Sequence, residues 1–175
     1  MSDEKSDPSA FVAYLGGGPA FVSAGDLDIP VRGNFVLSAG YPLHFGDIRL
    51  DVGGLASYTP IAFENVTVHL VSLLLNAGVS MEVANKVRVR GELGLGMMAY
   101  GGLSKTPFLP DTTTTGALSS FNLRVAFGVE YEIVDSLSVY AQPLVLNFAP
   151  TPSGVSEDIG NVSAFQMALG LSYSM

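Results

Sequence analysis

From Phe121 to Ile133 the chain reads Phe-Asn-Leu-Arg-Val-Ala-Phe-Gly-Val-Glu-Tyr-Glu-Ile: each odd position is large and apolar, each even one polar, charged or small. Period two is the signature of a β-strand with two unlike faces. The run outlasts the roughly 5 to 6 residues of an average globular strand and reaches the about 9 to 11 that a tilted strand needs to cross a bilayer. One face wants hydrocarbon and the other wants polar neighbours.

Turn signals divide the chain into eight runs of this kind, at 9–23, 31–43, 48–60, 66–83, 87–101, 118–133, 137–148 and 160–175. The connections after the second, fourth and sixth runs are tight: His44-Phe45-Gly46-Asp47, Ala84-Asn85-Lys86 and Val134-Asp135-Ser136. The others are mostly longer, as in Ser104 to Gly116 with its Thr112 to Thr115 tract, and Pro150 to Asp158. An even number of strands, short turns alternating with long loops, and both termini at the short-turn end let a sheet close on itself. Closure removes the unpaired edges that lipid cannot solvate. The predicted fold is all-β, an eight-stranded antiparallel up-and-down transmembrane β-barrel over 9–175, preceded by a flexible acidic tail at 1–8. The most helix-like stretch, Val66 to Val83, is interrupted by His69, Ser72, Asn76, Ser80 and Glu82. That is short of the about 18 largely uninterrupted apolar residues of a spanning helix.

Parity assigns faces. Phe35, Leu37, Ala39, Tyr41 and Leu43 point outward in the second run, Val87, Val89, Leu93, Leu95 and Met97 in the fifth, and Phe165 to Met175 at odd positions in the last. Tyr41, Tyr131 and Tyr173 fall near the short-turn ends, where an interfacial aromatic girdle belongs, and Tyr58, Phe121 and Phe21 fit the opposite girdle. All five arginines, Arg32, Arg49, Arg88, Arg90 and Arg124, take inward positions, as do Asp51, Glu82, Glu92, Glu130 and Glu132. A lower-lumen network of Arg49, Asp51, Glu82, Arg88, Arg90, Glu92, Arg124, Glu130 and Glu132 is therefore expected. A simple hairpin register sets Glu82 opposite Arg88 and Ser80 opposite Arg90. Such groups either gate an ion path or satisfy one another as a plug, and the narrow bore of an eight-stranded barrel favours the plug.

Above the charges, Val12, Val22, Val36, Met98, Leu144, Leu146 and Val162 share inward parity. Three readings are open: an apolar pocket for a small hydrophobic ligand, tight apolar packing, or a β-bulge that turns some of these residues to lipid.

Composition fits this picture. Hydrophobic residues make up 48% and charged ones 14%, low in charge for a water-exposed surface, and the net charge of −8 argues against a nucleic-acid partner. With no cysteine, thiolate chemistry and Cys-based metal sites are excluded. Met1 to Ser9 reads as a solvated tail rather than a secretory signal, so an exported protein would be seen here in a mature or recombinant form. No cofactor is implied: His44 and His69 are the only histidines, far apart, and Asp111, Glu157 and Asp158 lack a twelve-residue calcium loop. His69 and Ser72, three apart on one strand, face opposite sides and do not form a nucleophile and base.

The ending Gly170-Leu171-Ser172-Tyr173-Ser174-Met175 completes a pattern that resembles the small eight-stranded outer-membrane β-barrels of Gram-negative bacteria, the OmpA-type transmembrane domain superfamily. It looks like their C-terminal assembly signal, carried by Gly170, Tyr173 and Met175. Met175 replaces the usual Phe, and Ala168 stands where a polar residue is common. The resemblance implies a monomer in the bacterial outer membrane, in contact with outer-membrane lipids and lipopolysaccharide and inserted by the barrel-assembly machinery. No peptidoglycan-binding domain follows in this sequence, so a cell-wall role is not carried over.

The expected function is non-enzymatic, a structural or surface-interaction element acting through outer loops, with Pro107, Asp111 and Thr112 to Thr115 in the loop of interest. The alternative is binding or narrow passage of small hydrophobic molecules through the lumen. A third class, a lipid hydrolase, would need His69. A soluble ligand-carrying barrel would need a polar outside, which the second, fifth and sixth runs contradict.

Overall fold

The structure, a computed structural model, describes residues 11–24, 29–63, 66–102, 118–151 and 161–175, without the side chains of 63 and 66. The N-terminal tail, Pro107 with Asp111 to Thr115, and Glu157 with Asp158 lie outside the described residues.

Eight strands, β1 (Val12–Ala24), β2 (Arg32–Phe45), β3 (Ile48–Phe63), β4 (Val66–Ala84), β5 (Val87–Gly101), β6 (Leu118–Val134), β7 (Leu137–Ala149) and β8 (Val162–Ser174), pair in chain order as a closed barrel. All eight pairings are antiparallel. Val66 to Val83 is strand, because its polar interruptions recur on the inward face: Ser72, Asn76 and Ser80 are buried while Leu73, Leu75 and Val79 are exposed. β1 and β8 close the cylinder, and Phe11 and Met175 exchange backbone hydrogen bonds of 3.0 and 2.9 Å.

The tight turns are where extended strands must reverse within two residues. Phe45 pairs with Ile48 across Gly46-Asp47, with Gly46 at φ 63, a left-handed backbone that glycine adopts at low cost. In the next turn the positive φ falls on Lys86 at 65.

Outward positions between the two aromatic levels carry no charged side chain among the described residues, and Leu75 reaches 79% exposure. A continuous apolar surface wrapped around the barrel far exceeds the few hundred Å² a soluble monomer exposes, so its solvent is lipid. Tyr41, Tyr131 and Tyr173 are exposed toward the turn end, and Phe21, Tyr58 and Phe121 toward the loop end.

One strand breaks the parity rule. In β7, Ser138, Tyr140 and Gln142 are buried, but so are Val145, Asn147 and Ala149, because the register to both neighbours shifts at Pro143-Leu144. Proline has no N–H to give the ladder and is tolerated at a bulge, and the extra residue exchanges the two faces beyond it. Leu144 and Leu146 therefore face lipid, correcting their expected place in the lumen.

Candidate functional site: the filled lumen

The period-two pattern places Arg49 and Asp51 of β3, Arg90 and Glu92 of β5, and Arg124 and Glu130 of β6 inside the barrel. Arg49 Nε lies 3.1 Å from Asp51 Oδ1, and its Nη2 lies 3.0 Å from Glu130 Oε2. Arg90 Nη1 is ion-paired with Asp51 Oδ2, and Arg90 Nη2 lies 3.5 Å from Glu92 Oε2. Arg124 Nε meets Glu92 Oε1 at 3.1 Å. The three arginines and three carboxylates cancel in formal charge and form one continuous chain. Each ion thus has an opposite charge to offset the desolvation that burial imposes.

Neutral side chains complete the network. Tyr14 of β1 donates its hydroxyl to Asp51 Oδ2 at 2.8 Å and accepts from Arg49 Nη2 at 2.5 Å and Arg90 Nη1 at 2.7 Å. Gln142 accepts from Arg124 Nη2 at 3.0 Å and donates to Glu92 Oε2 at 3.3 Å, while Ser172 donates to Glu130 Oε1 at 2.6 Å. Gly78 on β4 makes room: a Cβ there would lie 2.7 Å from Arg90 Cζ. Tyr140 packs edge-on against Tyr14, with centroids 5.6 Å apart.

Three expected members, Glu82, Arg88 and Glu132, stand apart. Glu82 is paired in register with Arg88, yet it is exposed at the end of β4, where the strand bends out at an irregularity beside the turn. Arg88 instead faces Glu132, at 3.8 Å, in a partly exposed pair below the buried network. Arg32 sits near the loop end, its Nη2 donating to the Ala62 carbonyl at 3.0 Å.

Above the ions the lumen turns neutral. Asn34 donates to Gln166 at 2.9 Å and accepts from Thr59 at 3.0 Å, and Asn122 donates to Ser72 at 2.9 Å. Val36, Leu55 and Leu74 pack together in a separate apolar group. Toward the loops the interior is apolar, with Val22, Met98 and Val162 packed among Ile61, Leu70 and Tyr100.

The expected upper-lumen placement of these residues is thus corrected in two ways. Leu144 and Leu146 are outside. Val12 lies at the opposite end, in contact with Tyr14, Tyr140 and Ala168, because β1 starts at the turn end and rises. Val22, Met98 and Val162 lie in the upper lumen within one packed apolar cluster, which fits the tight-packing reading. The cavity bounded by Tyr14, Val36, Leu55, Glu92, Arg124 and Gln142 measures about 10 Å³, the scale of a single water.

Among the described residues His69 and Ser72 do not pair. His69 is on the outer face, its Nδ1 2.8 Å from the Tyr58 hydroxyl and its ring stacked on Tyr58, whereas Ser72 is inside, bonded to Asn122. His44 is exposed beside the first tight turn. Among the described residues no group of three His, Cys, Asp or Glu side chains is placed to hold a metal ion.

Tyr14, Tyr140, Gln142 and Ser172 were not legible as network members from charge alone. The available signal was inward parity at the level of the charges, which for Tyr14 and Tyr140 puts a phenol inside a closed barrel, where it needs a partner. Gly170 is inward too and pairs with Gly16 of β1; a Cβ on it would meet the Leu15 carbonyl and lie 2.6 Å from Gly16 Cα and 2.8 Å from Tyr140 Cε1.

A closed eight-stranded barrel with a lipid-facing belt and an ion-paired core is now defined. It has the fold of the small outer-membrane β-barrels. Neisserial surface protein A superposes with a TM-score of 0.71 at 18% identity, over 97% of this chain and 100% of that one. The attachment invasion locus protein Ail of Yersinia pestis gives 0.55 at 14% identity, over 95% and 100%. The outer membrane enzyme PagL gives the same score, identity and coverage. No protein-family profile matches the sequence, and no curated protein matches it significantly. These likenesses establish architecture, and because they include both an attachment protein and an enzyme they leave activity to this chain's own residues.

Proposed function

We propose that the protein is a non-enzymatic barrel of the bacterial outer membrane that works as a rigid mount for its outer loops, as a surface-interaction or structural element. The observation that carries this reading is the lumen: a charge-balanced plug of Arg49, Asp51, Arg90, Glu92, Arg124 and Glu130 below, and packed apolar side chains above. A filled bore of this width is a scaffold rather than a conduit. The outward, Tyr58-bonded His69, separated by the barrel wall from Ser72, supports the non-enzymatic part.

Ail has been crystallised with the heparin analogue sucrose octasulfate. With a net charge of −8, this chain offers poor general complementarity to such a polyanion, and a neutral or basic surface fits better.

The test is reconstitution in lipid vesicles of the wild type and of a variant with 107–115 replaced by Gly and Ser. Ion leak, phospholipid and lipid A turnover, and adhesion to cultured cell monolayers are scored. No leak, no turnover and adhesion that depends on the loop are expected. Steady conductance, or lipid turnover abolished by His69→Ala, overturns the proposal.

A further inference from the structure

The guanidinium of Arg124 is not satisfied by side chains alone. Its Nε donates to Glu92 at 3.1 Å and its Nη2 to Gln142 at 3.0 Å, but Nη1 has no hydrogen-bond partner among the described residues, although Arg124 is only 1% exposed. A charged donor shut away from bulk solvent without an acceptor is costly, and native interiors leave few of them. Arg124, Glu92 and Gln142 all border the small lumen cavity of about 10 Å³. Ser38 closes another side of it: on β2 it stands in the ladder between Tyr14 of β1 and Leu55 of β3, and it is buried. Val36 and Leu55, packed with Leu74, supply its apolar wall.

Chemistry decides what such a space takes. An apolar group would leave Arg124 Nη1 without an acceptor. An ion of either sign would upset the balance of three arginines and three carboxylates in the plug. Water adds no charge, accepts from Nη1 and donates in return. A place to donate exists at Glu92: its Oε1 receives Arg124 Nε, and its Oε2 receives Gln142 and Arg90, the latter at 3.5 Å. A carboxylate offers about four lone-pair sites, so one remains open. The Ser38 hydroxyl, able to give or take a hydrogen bond, is a third partner, and about three partners is usual for a buried water.

We propose that this cavity binds one water molecule as a working member of the plug, accepting from Arg124 Nη1 and hydrogen-bonded to Glu92 and Ser38. The water completes the hydrogen bonds of Arg124 without a further side chain, and it ties β2 to the ion pairs of β5 and β6. Held inside the barrel wall, it exchanges slowly with bulk solvent.

Filling the cavity from Ser38 separates a bound water from a dry gap, because the two respond with opposite sign. Wild type, Ser38→Ala and Ser38→Val are refolded in lipid nanodiscs and compared by oxygen-17 magnetic relaxation dispersion, which counts long-lived internal waters, and by urea unfolding. Ser38→Val should lose one long-lived water relative to the wild type and lower the folded-to-unfolded ratio about tenfold, since Arg124 Nη1 is then stranded. Ser38→Ala, which removes the hydroxyl but leaves the space, should keep the water on Arg124 and Glu92. Dispersion in Ser38→Val equal to that of the wild type overturns the proposal. So does a Ser38→Val barrel more stable than the wild type, as filling a dry gap would make it. Ser38→Thr, which adds a single methyl group to the same space, carries the test if Ser38→Val does not fold.

Discussion

The guanidinium of Arg90 lies 4.2 Å over the ring of Tyr14 while Arg90 Nη1 donates to that same tyrosine's hydroxyl at 2.7 Å. Tyr14 thus serves Arg90 with both its π face and its oxygen, and through the oxygen it also joins Arg49 to Asp51. Replacing Tyr14 with Phe keeps the face and deletes the oxygen. Two arginines and a carboxylate each lose a charged hydrogen bond inside the barrel, so the expected loss is about 2 to 3 kcal/mol. Urea unfolding in lipid vesicles checks it, and an unchanged midpoint would show that the hydroxyl is not part of the plug's energetics.

Glu92 connects two arginines, Arg90 at 3.5 Å and Arg124 at 3.1 Å, and accepts from Gln142. Glu92→Gln leaves Arg124 buried with only neutral partners, and Arg124→Met leaves Glu92 with the more distant arginine. Each single change should cost about 3 to 5 kcal/mol, the usual price of a stranded buried ion, whereas the double variant should lose clearly less than the sum. A double-mutant cycle on unfolding free energy measures this. Strict additivity would mean that the two groups are coupled to others rather than to each other.

Much of this architecture is legible in the sequence because two alternations coincide: side chains alternate faces by geometry, and the two faces meet opposite solvents. The run at 87–101 coincides with β5, and Glu82 and Ser80 sit opposite Arg88 and Arg90 as a plain hairpin register requires. What parity alone leaves open are places where one residue changes the count or the level, although a β-bulge is among the readings the sequence allows. The bulge at Pro143-Leu144 sends Leu144 and Leu146 outside, and the proline within an otherwise apolar run was its only local mark. Val12 and Val22 share parity, so parity alone cannot say that they lie at opposite ends. The charges of the network could be read from residue type, but the roles of Tyr14 and Gln142 depend on which strands close the barrel beside β3, β5 and β6.

The bulge makes a direct prediction on the lipid side. Leu146→Arg puts a cation on the apolar face, where it should cost about 2 kcal/mol. Unfolding in vesicles of the Leu146→Arg variant measures the difference. Stability equal to the wild type would count against a lipid-facing Leu146.

Gly170 has two separable reasons to be glycine. As part of the C-terminal pattern it resembles a residue read by the assembly machinery, and in the barrel it pairs with Gly16 beneath the Tyr140 ring. The contacts a Cβ would make there are partly with backbone, the Leu15 carbonyl and Gly16 Cα, so rotating Tyr140 away relieves only some of the overlap. Gly170→Ala should therefore lower the yield of folded, heat-modifiable barrel in detergent or lipid without any assembly factor, and destabilise what does fold by about 1 to 3 kcal/mol. Met175→Phe, at an exposed position on the lipid side, should leave that unassisted yield unchanged. Normal unassisted folding of Gly170→Ala together with failed insertion in cells would place the requirement for this glycine in recognition rather than in packing.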